Sequence, residues 1–157
     1  MKKKYWIIGI AFVLVLSLFL VFKPSASSFP ELEKASNIEF YRSESCGCCS
    51  LYERHLKSNG NPNVKDVQME DISSVKAKYK IPTEMQSCHT TIIGEYFIEG
   101  HMPLEAVEKL LKEKPNIAGI AMPGMPSGSP GMPGAKSGDF VIYAVNSDGS
   151  YEEFMRI

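Results

Sequence analysis

The chain has 157 residues, 17 basic and 18 acidic side chains, and four cysteines. Four of the basic residues and none of the acidic ones precede residue 24, so residues 24–157 carry a net charge of −5, a poor match to nucleic acid. A hydrophobic share of 44% excludes an intrinsically disordered chain, and four cysteines are too few for a disulfide scaffold.

Lys2, Lys3 and Lys4 precede an uncharged run from Tyr5 to Phe22. As a helix that run would span roughly 27 Å, close to the ~30 Å hydrocarbon core of a bilayer. The lysines are expected to stay cytoplasmic and send the rest of the chain outward. Residues 1–23 therefore read as a signal-anchor or a signal peptide. The length of the run and Lys23 directly after it favour an uncleaved anchor, since a cleaved signal has a shorter apolar core and a small-residue cleavage site. Both readings place the domain outside the cytoplasm, either tethered through residues 5–22 or released after cleavage. Residues 24–36 read as a tether, and 37–157 as one domain.

Within that domain, Ile38–Tyr41 reads as a strand, and Leu51, Tyr52, His55 and Leu56 recur at helical spacing up to Asn59-Gly60. Val64–Met69 is a second strand, and Ile72, Val75 and Tyr79 mark a short helix ending before Pro82. Thr90–Ile93 and Tyr96–Ile98 flank Gly94-Glu95, a Gly-X pair suited to a type II′ hairpin. Pro103 can open a helix whose apolar face is Leu104, Val107, Leu110 and Leu111, with Pro115 beyond its end. Phe140–Val145 and Tyr151–Met155 are the last strands, with Asp148-Gly149 as turn signal. The order β-α-β-α-β-β-α, then a loop and a hairpin, predicts an α/β fold with a mixed sheet. Cysteines directly after the first strand, together with the ββα ending, make the expected core thioredoxin-like.

Cys46-Gly47-Cys48-Cys49 falls between the first strand and first helix, and contains a C-x-x-C pair with Cys48 inserted. Free N–H groups and the partial positive charge at a helix N-terminus favour thiolate, which is both the nucleophile of disulfide exchange and a soft metal ligand. Cys88 lies before the third strand, on the segment that faces the C-x-x-C tip in a thioredoxin-like fold, so four sulfurs are expected to converge. His89 and His101 are further candidate ligands, with His89 expected to point away from Cys88 if the strand has already begun. His55 reads as a packed or surface residue. The loop Met122–Gly134 holds four prolines, four glycines, three methionines and no charge. Pro and Gly account for its irregular path but not for Met122, Met125 and Met132, whose thioethers suit Cu(I) or serve as adaptable apolar cover.

The motifs CGCC after strand one, SCHT before strand three, EGHMP after the hairpin and AMPGMPSGSPGM in the loop together resemble one bacterial family. It is catalogued as a predicted metal-binding domain of unknown function and includes the CopG-type copper-resistance proteins. The resemblance spans about Ile38 to Ile157. It implies a thioredoxin-like fold, an extracytoplasmic setting at a bacterial inner or plasma membrane or in the periplasm, and copper bound as Cu(I). By the same analogy Cys46, Cys48, Cys49 and Cys88 correspond to the family's cysteines and His101 to its EGH-x-P histidine.

Three functions are open on the sequence. The leading one is copper handling through the cysteine cluster, with copper ions, the membrane and other copper-efflux or copper-relay proteins as partners. The second is a thiol–disulfide oxidoreductase with Cys46 attacking and Cys49 resolving; Cys46–Cys49 is the expected oxidised pair, because a Cys48–Cys49 bridge is strained. The third is a structural zinc site. No P-loop, GxSxG or HExxH signature supports a phosphate-binding or hydrolytic enzyme.

Overall fold

The computed structural model describes residues 27–157. The membrane segment expected at 5–22 lies outside them, and among the described residues no helix is long and apolar enough to cross a membrane. Among the described residues four α-helices and seven strands follow in chain order: α1 (Pro30–Lys34), β1 (Ile38–Ser43), α2 (Gly47–Asn59), β2 (Val64–Met69), α3 (Ser73–Lys78), β3 (His89–Ile93), β4 (Tyr96–Glu99), α4 (Leu104–Glu113), β5 (Gly119–Ala121), β6 (Val141–Val145) and β7 (Tyr151–Arg156), with a 3-10 turn at Thr83–Met85 before β3. The strands make one mixed α/β sheet in the order β2-β1-β3-β4-β5-β6-β7. β1 runs parallel to β2 and β4 parallel to β5; the other neighbours are antiparallel.

The expected elements form for the expected reasons. The 3–4 spacing of Cys49, Tyr52 and Leu56 gives α2 one buried face. Leu104, Val107 and Leu110 do the same for α4, which ends at Lys114 in the left-handed region. In the β3–β4 hairpin Ile93 pairs with Tyr96, and Gly94 takes φ 60°, as the first central position of a type II′ turn requires. The larger core joins Leu32, Phe40, Tyr52, Leu56, Ile98, Leu110, Ile120 and Ile142 on one face of the sheet. A smaller cluster of Ile81, Met85, Ile92, Phe97, Ala121 and Val145 covers the other. β3 is buried along its whole length because both faces are covered.

Three features depart from the sequence reading. The stretch expected as a tether holds α1, which packs against the domain through the fully buried Leu32. The Glu108 carboxylate accepts the N–H groups of Glu31 and Leu32 at 3.0–3.1 Å, supplying the cap and negative charge that this helix start needs. Gly60 does not close α2 in the left-handed region; its φ is −114°. It is needed for room instead, since a Cβ there would lie 2.7 Å from Leu32 Cδ2 and 2.9 Å from Leu56 O. Finally, β5 adds a strand between the helix α4 and the terminal hairpin.

Asn61 ties α1 to the end of α2. Its buried amide nitrogen lies 2.8 Å from Leu32 O, 3.0 Å from Glu33 O and 2.9 Å from Ala35 O. Asn61→Ala leaves those carbonyls without this donor and is expected to cost about 1–3 kcal/mol in denaturant unfolding. A wild-type midpoint would show that α1 is held by Leu32 and Glu108 alone.

Candidate metal centre

β1 delivers the chain to Cys46, the N-cap of α2, whose Sγ accepts the Cys49 N–H at 3.3 Å. The cysteines thereby occupy the N-terminal turn of a 13-residue helix, where backbone N–H groups and the helix dipole favour negative sulfur. Cys46 and Cys49 are joined by a disulfide, and Cys48 and Cys88 are free. Cys48 Sγ is 3.6 Å from Cys46 Sγ. Cys88 arrives from the other side, on the residue before β3, with its carbonyl oxygen 3.7 Å from Cys49 Sγ. The four sulfurs lie within 4.8 Å of one another.

Cys88 also belongs to a second group. With His89 and His101 it forms another set of donor atoms within 4.8 Å. His101 Nε2 is 3.1 Å and His89 Nδ1 3.4 Å from Cys88 Sγ. β3 begins at His89, yet the ring stays beside Cys88 rather than pointing away from it. His101 Nδ1 is 2.7 Å from Pro130 O. A carbonyl can only accept, so Nδ1 carries the proton and Nε2 turns its lone pair to Cys88. The His89 ring is fully buried, with centroids 4.8 Å from Phe40, 4.6 Å from Tyr52 and 4.7 Å from His101. Its Nε2 has no hydrogen-bond partner among the described residues.

Burial sets the protonation states. It pushes the Cys88 thiol up to about 11, and the neighbouring Cys48 sulfur adds to the rise. A ligand at Cys88 must therefore displace a proton. Burial also lowers His101, against the Pro130 carbonyl that raises it, and drops His89 well below the usual imidazole range, helped by His101 and Lys76. Both rings are neutral at pH 7, the form that binds metals.

The loop of residues 122–134 is fastened over this group at three points. The Ser87 hydroxyl donates to Gly124 O at 2.5 Å, and His101 Nδ1 to Pro130 O. Gly131, at φ 80°, lies against α2 so closely that a Cβ would sit 2.6 Å from Tyr52 N and 3.1 Å from Cys48 O. The three methionines do not share one environment. Met122 is in the hydrophobic core, Met125 is 53% exposed and Met132 is half-buried. His55 lies outside both donor groups, its ring against Tyr52 and its Nδ1 3.3 Å from Asn59 Nδ2.

Sequence reasoning missed three contributors. Phe40 and Tyr52 were visible only as strand and helix positions; that they wall in His89 follows from tertiary packing. Pro130 acts through its backbone oxygen, for which no sequence signal exists. The donor chemistry, four sulfurs with two neutral imidazoles, fits a soft or borderline metal and gives hard cations such as Mg²⁺ or Ca²⁺ no oxygen cage.

The sequence profile of the family described as "Protein of unknown function, DUF411" matches residues 85–132, which hold Cys88, His89, His101 and most of the loop. No curated protein matches the chain. Two solved structures are similar to it, "Copper resistance protein copG- Form 1" and "Copper resistance protein copG- Form 2". Each is 36% identical with a TM-score of 0.70; the alignments cover 76% of this chain and 95% and 96% of those chains. With nearly the whole length of those proteins matched at that identity, the chain belongs to the CopG family of copper resistance proteins.

Proposed function

We propose that this chain is an extracytoplasmic copper-handling protein that binds Cu(I) through Cys46, Cys48, Cys49 and Cys88, with His101 as an additional donor. The observation that carries the reading is the meeting of four sulfurs within 4.8 Å at a helix N-terminus. Its family membership supports copper as the metal, and thiolate ligands support the Cu(I) state. Four thiolates carry more charge than one Cu(I) neutralises, so more than one ion is bound, bridged by sulfur. The order β2-β1-β3-β4, with β1 parallel to β2 and the other pairs antiparallel, supports a thioredoxin-like core. The apolar run at 5–22 supports attachment to the outer side of a bacterial membrane, where other copper-efflux or copper-relay proteins would be its partners.

The Cys46–Cys49 disulfide favours a second reading, thiol–disulfide exchange. It also separates the two experimentally, because a disulfide withdraws two of the four thiolates. Reduced full-length protein, titrated anaerobically with Cu(I) against a competing chelator, is expected to bind more than one ion tightly. Oxidised protein is expected to bind far more weakly, and Zn(II) not to displace Cu(I). Weak binding by the reduced protein together with rapid disulfide exchange through Cys46 would sink the copper reading in favour of the oxidoreductase. Preference for a single Zn(II) would identify a structural zinc site.

A further inference from the structure

Bonded to Ser87 and Thr90, on either side of Cys88 and His89 in the chain, lies a charged network that the sulfur site itself does not account for. Lys76 on α3 and Glu99 at the end of β4 form an ion pair whose side chains are 7% and 0% exposed. The Lys76 ammonium donates to Glu99 Oε1 and, at 3.2 Å, to Thr90 Oγ1. Glu99 Oε2 accepts the Thr90 hydroxyl at 2.6 Å, and Oε1 accepts the Ser87 N–H at 2.6 Å.

Burying both charges is costly, and apolar side chains of similar volume often serve a core as well. What the carboxylate alone supplies is a strong acceptor for a backbone N–H one residue before Cys88. Three consecutive residues converge on that spot. Glu99 holds the Ser87 amide, and His101 meets Cys88 Sγ at 3.1 Å. Gly100, at φ 87°, supplies the room between them: a Cβ there would lie 2.5 Å from Met122 O and 3.0 Å from Ser87 Cβ. The Ser87 hydroxyl then holds Gly124 O of the covering loop.

We propose that the buried Lys76–Glu99 pair is a positioning device for Cys88: its carboxylate fixes the Ser87 backbone so that the Cys88 sulfur meets the other three, and the Ser87 hydroxyl extends that restraint to the loop. The proposal rests on the copper reading of the site. Burial raises the Glu99 carboxyl and Lys76 opposes that rise, Thr90 orients it, and neither Lys76 nor Thr90 touches the metal ligands' donor atoms.

The test is a cycle in the full-length, reduced protein. Lys76→Met and Glu99→Leu are made together, so neither a lone charge nor the acceptor of the Ser87 N–H remains, with Cys88 present and again with Cys88→Ser. Folding is read by circular dichroism and Cu(I) affinity by chelator competition. With Cys88 present, the paired change is expected to weaken Cu(I) binding about 10–100-fold, as loss of a group supporting a metal ligand does. With Cys88→Ser its effect is expected to shrink to within about twofold, because the ligand it positions is gone. Equal losses in both backgrounds, or no loss with Cys88 present, overturn the proposal.

A second measurement needs no copper. In metal-free protein carrying Cys46→Ser, Cys48→Ser and Cys49→Ser, alkylation of Cys88 by iodoacetamide is expected to accelerate severalfold when the pair is removed. An unchanged rate overturns the positioning role. If the parent protein binds no Cu(I), the copper reading fails, and the alkylation rate alone decides this proposal. If the paired change unfolds the chain, Thr90→Val takes a single donor from Glu99; a smaller acceleration supports the proposal, and an unchanged rate overturns it.

Discussion

Cys88→Ser is expected to weaken Cu(I) binding by more than about 100-fold, beyond the range seen for groups that merely support a ligand. Cys88 is the one residue common to both donor groups, the four sulfurs and the Cys88–His89–His101 set. A serine oxygen fills the same space but is a hard donor that Cu(I) does not favour. Because Cys88 is only half-buried, the fold should survive the change. Chelator competition on the reduced protein measures the loss. An affinity equal to wild type would mean that the meeting of the sulfurs serves disulfide chemistry alone.

Phe40→Ala is expected to destabilise the reduced, metal-free protein by about 3–5 kcal/mol, the usual range for removing a fully buried aromatic side chain. Phe40 is 0% exposed on β1. Its ring stacks on Tyr52 at 5.9 Å and forms one wall of the His89 chamber at 4.8 Å. Urea unfolding measures the effect. A loss below about 1 kcal/mol would show that the site collapses to refill the space, since the cost of such deletions grows with the cavity left behind.

The site was legible in the sequence where chemistry is written in residue type and short spacing. Three cysteines at a strand-to-helix junction and a fourth before a later strand were enough to expect the sulfurs to meet. The hairpin was legible because Gly94 has a conformational reason to be there. β5 was not, because its three residues are all buried and show no alternation against which a period could be read. α1 was not either: PELEK has one apolar residue, and the helix exists because Glu108 and Asn61, distant in the sequence, supply its partners. Lys76 reads as an ordinary surface lysine on a short helix. Only the folded chain shows that it is buried against Glu99, because the choice of partner is a tertiary event.

The position of α1 has a geometric consequence. It docks at the C-terminal end of α2, where Asn61 and Gly60 receive it, whereas the cysteines occupy the N-terminal end of the same helix. Thirteen residues of helix separate the two poles by roughly 20 Å at about 1.5 Å per residue. Anything that grips α1 therefore sits at the pole opposite the thiols. A partner bound at α1 would leave the sulfur face open to a second molecule from solution, with the length of α2 as the distance between them.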